Sequence, residues 1–185
     1  MINDMNKEAE ERMKKSLQAL DVAFNRIRTG RAHPSILDTV RVNYYGSEMP
    51  IQQVANVVVE DARTLSISPW EKKMLQEIEK AIMKSDLGLN PSNNGDVIRV
   101  PMPMLTEQTR REYTKQAKAE AEHARVAVRN IRRDANNHFK ELLKDKKVSE
   151  DEARRAEQNM QKLTDNYIAL IDKKYAEKEA ALMSV

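Results

Sequence analysis

Leu105–Lys147 reads LTEQTRREYTKQAKAEAEHARVAVRNIRRDANNHFKELLKDKK and holds neither Gly nor Pro, so nothing in it interrupts a single long helix. Its apolar and small residues fall at Tyr113, Ala117, Ala121, Ala124, Val128, Ile131, Ala135, Phe139 and Leu142. They recur every ~3.6 residues, the period of a straight helix with one buried stripe. One position round lies a second row, Lys118, Glu122, Arg125, Arg129, Arg132 and Asn136, with Arg133 a further step on. Residues 125–133 hold four arginines and no acid. The densest positive charge of the chain therefore rides on a rigid rod, apart from its core seam, and is the expected functional face.

Composition frames this rod. In 185 residues, 4 Gly and 4% aromatics against 33% charged residues suggest long solvated helices more than a sheet protein. The absence of Cys excludes disulfides, thiolate catalysis and cysteine-type zinc sites. No apolar run reaches the roughly 18 residues of a membrane span, and the N-terminus lacks an apolar signal core, so a soluble cytoplasmic protein is expected. Net charge is only +3, but residues 105–147 carry 12 Lys and Arg against 7 Asp and Glu, while residues 31–104 carry 8 against 9. That focus points to a polyanionic partner met along one face.

From the N-terminus, Asn3 and Asp4 offer caps for a first helix over Asp4–Thr29, with apolar positions Met5, Ala9, Met13, Leu17, Leu20, Phe24 and Ile27. Arg26 and Arg28 fall in its expected last turn, and Gly30 supplies a left-handed C-cap before Pro34. The period then changes. Val40, Val42 and Tyr44 alternate up to a turn at Gly46–Pro50, Val54–Val59 is a β-branched run, and Leu65 and Ile67 alternate before Pro69. Trp70–Ser85 returns to helical spacing, Gly88–Gly95 is a turn-rich break, and Val97–Val100 makes a last strand. Thr106 caps the long helix, Ser149–Glu152 matches a capping box, and a final helix buries Ala153, Ala156, Met160, Leu163, Tyr167, Ile171, Tyr175 and Leu182.

Amphipathic helices of this length cannot hide their stripes alone, so the three must share one core. The predicted fold is α+β: an elongated antiparallel three-helix bundle from residues 1–30 and 105–185, with a small, mostly β, α/β domain inserted at 31–104. At 1.5 Å per residue the middle helix is about 60 Å long. Only two short connections join the parts, so Gly30, Arg31, Pro103, Met104 and Leu105 form an expected hinge.

Three stretches, RIRTGRAHPS at 26–35, SDLGLNP at 85–91 and EHARVAVRNIRRDA at 122–135, resemble those of bacterial ribosome recycling factors. The resemblance spans the whole chain and the order of its segments. It implies an L-shaped molecule of bundle and smaller domain, acting as a monomer. It further implies that the bundle lies along ribosomal RNA of the large subunit through its arginine face. With elongation factor G and GTP, such a factor splits post-termination ribosomes into subunits, and the GTP is hydrolysed by the partner. Carried over by position, Arg129 and Arg132 correspond to RNA-contacting arginines, and Gly30–Arg31 with Met104–Leu105 to the hinge.

The residues themselves give Arg125, Arg129, Arg132 and Arg133 as the main RNA-binding group, because these arginines lack acids within their run and an Arg fork grips phosphate without reading sequence. A second basic group, Arg28, Arg31 and Arg110, with Arg26 and Arg111 beside them, is predicted near the hinge, about 28 Å from Arg129. Some of these arginines would serve only to cap helix ends. His33, His123 and His138 lack a third ligand, so no metal is expected. No phosphate loop or nucleophile motif is present, so neither a cofactor nor catalysis by this chain is expected. The competing reading is a structural or adaptor bundle that docks protein partners, distinguished by a weaker response to salt than RNA binding shows.

Overall fold

The structure, a computed structural model, describes Met1–Ser184. Its helices are α1 (Ile2–Asn25), α2 (Leu75–Lys84), α3 (Glu107–Lys144) and α4 (Glu150–Met183). Its strands are β1 (Arg41–Tyr44), β2 (Ser47–Pro50), β3 (Ala55–Asp61), β4 (Thr64–Pro69), β5 (Ser92–Asn93) and β6 (Ile98–Pro101). The chain divides into two compact units, Met1–Ile27 with Arg111–Ala180, and Arg28–Arg110 with the residues from Ala181 on.

The first unit is helical, and its seam is the one the spacing of α3 predicts. Ala117, Ala121, Ala124, Val128, Ile131, Ala135, Phe139 and Leu142 are all buried, while Tyr113 is only half-buried. α1 meets them with Ala9, Met13, Leu20 and Phe24, and α4 with Ala153, Ala156, Met160, Tyr167 and Ile171. The seam of α3 combines small residues with larger ones, and Phe139 is fully buried in it. Truncating Phe139 to Ala would cost about 3–5 kcal/mol. Side-chain ties fix the directions. Arg125 reaches Asp172 and Arg132 reaches Gln161, so α3 and α4 run antiparallel. Lys174 reaches Asp21 and Lys178 reaches the carbonyl of Ile27, so α4 and α1 run together. Thr164, also buried, returns its hydroxyl to the Met160 carbonyl at 2.8 Å.

Local chemistry sets the helix ends. The Thr106 hydroxyl accepts the Thr109 N–H at 3.0 Å, and Ser149 accepts the Glu152 N–H at 3.1 Å, so both expected N-caps are present. Between α3 and α4, Lys146 takes a left-handed φ of +57°, and the Lys147 and Lys146 N–H groups close on the Leu142 and Leu143 carbonyls at 2.9 and 3.1 Å. α1 departs from expectation. It starts at Ile2 with no side-chain cap and stops at Asn25, so Asn3 and Asp4 lie inside it and no basic residue falls in its last turn. Arg26 and Ile27 close the end with short-range bonds to Ala23 and Phe24, and Gly30, at φ +78°, turns the chain only after that end.

The second unit packs two antiparallel sheets and α2 around Leu37, Val42, Ile51, Leu65, Ile67, Ile78, Ile82, Ile98 and Val100, each fully or almost fully buried. β1 pairs with β2, and the larger sheet has the order β3-β4-β6-β5. Alternation on β4 and β6 puts Leu65, Ile67, Ile98 and Val100 inside and Arg99 outside. Two corrections arise here. Ser47–Pro50 is a strand, because the turn closes earlier, at Tyr45 (φ +49°) and Gly46 (φ +89°). The helix expected from Trp70 begins at Leu75 after a 3-10 turn at Lys72–Met74, and Trp70 is 65% exposed. Of the methionines, Met13, Met74, Met102 and Met160 are buried, whereas Met1, Met83, Met104 and Met183 are exposed.

Candidate nucleic-acid interface

The four arginines of α3 sit in different electrostatic settings. Arg125 is drawn against the bundle. Its guanidinium meets Asp172 of α4 at 2.8 Å and Glu122 at 3.1 Å, and only 20% of its side chain stays exposed. Burial alone would lower its pKa, but the hydrogen bonds to Asp172 and Glu122 outweigh that and raise it. Arg129 approaches the same Glu122 at 3.6 Å and keeps 42% of its side chain exposed. The expectation that these arginines lack acidic partners therefore fails for Arg125 and Arg129, because Glu122 lies one turn before Arg125 and Asp172 is supplied from another helix.

Arg132 and Arg133 meet no carboxylate among the described residues. Arg132 donates from Nη1 to the neutral Gln161 amide at 2.8 Å, while its Nε is buried without a partner. Arg133 is exposed, and its side chain has no ionic or hydrogen-bonding partner among the described residues. The adjoining acid, Asp134, is engaged at 3.2 Å by Arg12 of α1. Among the four arginines, uncompensated positive charge is thus left at Arg132 and Arg133, with Arg129 half-compensated. Such a group can hold phosphate through charge-assisted hydrogen bonds.

The second basic group, Arg28, Arg31 and Arg110, belongs to the other unit. Arg28 is half-buried and gives its Nη1 to the Leu87 carbonyl at 3.2 Å, a structural tie. Arg31 is exposed and reaches the Ser184 hydroxyl at 3.3 Å. Arg110 is half-buried with an unpartnered Nε. Of the expected hinge residues, Gly30 has the left-handed backbone, Leu105 is half-buried, and Arg31, Pro103 and Met104 are exposed.

Other chemistry-bearing groups are spread out. His33, His123 and His138 are all exposed, and His33 accepts the Ser35 N–H at 3.1 Å as the cap of a 3-10 turn. Among the described residues no group of three His, Cys, Asp or Glu could hold a metal, and no helix is long and apolar enough to cross a membrane. Sequence reasoning missed Glu71, which accepts hydrogen bonds from the Tyr44 and Tyr45 hydroxyls at 2.7 and 2.8 Å. Those bonds hold its carboxyl below the usual range and raise both phenols. It also missed Lys178, whose ammonium gives a 2.7 Å bond to the Ile27 carbonyl. No pattern along the chain signals either contact, since the partners are 27, 26 and 151 residues apart.

Comparison with known proteins covers the whole chain. A family model described as ribosome recycling factor matches residues 20–183. Proteins named ribosome-recycling factor from Hahella chejuensis (strain KCTC 2396) and Marinomonas sp. (strain MWYL1) are 63% and 61% identical over 185 residues, covering all of both chains. A solution structure of the ribosome recycling factor is 41% identical, with a TM-score of 0.77 over 100% of this chain and 98% of that one. Models for the T. thermophilus ribosome recycling factor and the E. coli elongation factor G bound to the E. coli post-termination complex include a chain 43% identical to this one. That chain has a TM-score of 0.69, with 99% of each covered.

Proposed function

This chain belongs to the ribosome recycling factor family, and on that premise we propose that it binds the large ribosomal subunit after termination. With elongation factor G and GTP, it then splits the ribosome into subunits for reuse. The observation that carries this reading is full-length kinship with a factor placed beside elongation factor G on a post-termination complex. The GTP is hydrolysed by the elongation factor, and this chain works in the cytoplasm, as a monomer, by binding and movement and not by catalysis.

In this reading residues 1–30 and 105–185 supply the RNA-binding body. Arg132, Arg133 and Arg129 bear on ribosomal RNA phosphates, Arg125 mainly braces α3 to α4, and Arg28, Arg31 and Arg110 add a second, weaker group. What supports the ranking is compensation: Arg125 has two carboxylates, Arg132 a neutral amide and Arg133 neither. Residues 31–104, near charge balance, face the protein partner. Tyr45 at 70% exposure and Trp70 at 65% are large aromatic side chains of the kind that anchor protein interfaces. Gly30, Arg31, Pro103, Met104 and Leu105 serve as the hinge.

Sedimentation of the protein with separated subunits tests the reading. Binding to the large subunit, steeply weakened by salt, together with splitting of post-termination ribosomes on addition of elongation factor G and GTP, is expected. Pelleting with the small subunit alone, or binding without splitting, would overturn it.

A further inference from the structure

We propose that Gln161 and Asp165, on the outer side of α4, are positioning residues that hold the Arg132 guanidinium ready for phosphate without cancelling its charge. This inference rests on the RNA-binding reading of Arg132 given above.

The geometry is a relay of three side chains. Arg132 Nη1 donates to Gln161 Oε1 at 2.8 Å, and Gln161 Nε2 donates to Asp165 Oδ1 at 2.8 Å. A carboxamide has one accepting end and one donating end, whereas an ionised carboxylate only accepts. Asp165, four residues on and therefore on the same face of α4, must face the amide's NH2. The carbonyl oxygen is thereby turned toward Arg132, and the amide cannot flip without losing both bonds.

The chemical difference from Arg125 gives the relay its meaning. Two carboxylates hold Arg125 and consume its charge. A neutral oxygen holds Arg132, so the guanidinium is oriented while its positive charge remains for a polyanion. Its Nε is buried without a partner, so the hydrogens that remain for phosphate are the Nη hydrogens not given to Gln161. Asp134, the nearest acid in the chain, is occupied by Arg12 and does not compete. An arginine left to search its rotamers would have to be ordered during binding, and pre-orientation removes that cost.

Full-length variants measured for large-subunit affinity across a salt series, with thermal melts alongside, test the relay. Gln161→Ala should weaken binding about three- to tenfold, leave the melting temperature in place, and leave the salt slope unchanged because no charge is lost. Gln161→Glu keeps an acceptor but converts Arg132 into an ion pair like Arg125. It should weaken binding at least as much and reduce the salt slope by about one phosphate's worth. In the double variant with Arg132→Ala, Gln161→Ala should add almost nothing.

If Arg132→Ala binds like the parent, the RNA-binding reading itself fails. If Arg132→Ala loses binding while Gln161→Ala does not, or the two losses simply add, that reading stands and the positioning role is overturned. Equal salt slopes for the Ala and Glu variants, with a lowered melting temperature in both, would show a merely structural contact and also overturn it.

Discussion

The Arg125 guanidinium and the Asp172 carboxylate meet at 2.8 Å between α3 and α4, so an arginine that the sequence offers to RNA is already partnered within the protein. Removing the acid should release it. Asp172→Asn is expected to raise large-subunit affinity severalfold and to steepen the salt dependence by about one phosphate. Stability should fall by no more than about 1 kcal/mol, since both carboxylates around Arg125 are more than half exposed. Pelleting in a salt series, with melts as control, checks this.

Arg132→Ala should change stability by no more than about 0.5 kcal/mol, the usual range for surface changes. It should weaken large-subunit binding roughly ten- to a hundredfold, through loss of one charge-assisted contact of about 1.5–3 kcal/mol. Arg132→Lys should recover only part, since the ammonium keeps the charge and loses the fork. An Arg132→Ala protein that melts early yet binds normally once folded would make the arginine structural.

Lys178 closes the end of α1 from α4, and its loss leaves the Ile27 carbonyl without that donor. Lys178→Met, which keeps the apolar stem, should cost about 1–3 kcal/mol. Burial lowers the Lys178 pKa below 10.5, so in the window just below 10.5 the unfolded chain binds more protons than the folded one. The folded state of the parent should gain on Lys178→Met as pH rises through that window. Paired denaturant titrations read the difference.

Glu71 accepts from two phenols and so should titrate below 4.5 in the folded protein, its stabilisation present above 4.5 and lost as pH falls through the lowered value. For Tyr44 and Tyr45, raised above 10.0, the stabilisation is complete below 10.0 and disappears as pH climbs through the higher folded values. Replacing both tyrosines with Phe should return the Glu71 carboxyl shift to an ordinary midpoint, which carbon-detected NMR would follow directly.

What was legible in the sequence was what repeats locally. The α3 seam from Ala117 to Leu142 could be read because a helix writes its burial into every third or fourth residue. β2 could not, since Ser47–Pro50 has no strand-forming composition and owes its conformation to pairing with β1. At the site, Glu122 stood three residues before Arg125 and its pairing was within reach of the sequence. Asp172, Gln161 and Asp165 were not, because the partnership of two helices depends on how they pack, which no spacing along one helix records.

The helical unit is assembled from the two sides of Arg28–Arg110, and this orders events during synthesis. Most of the sheet unit leaves the ribosome as one uninterrupted stretch and can complete its antiparallel pairings early. α1, made before α3 and α4, must keep Ala9, Met13, Leu20 and Phe24 uncovered until those helices arrive. Pulsed hydrogen exchange should find the amides of Leu65, Ile67 and Ile98 protected before those of Met13 and Leu20. For that interval the apolar stripe of α1 lies open, and a chaperone that shields apolar helices would have its target there.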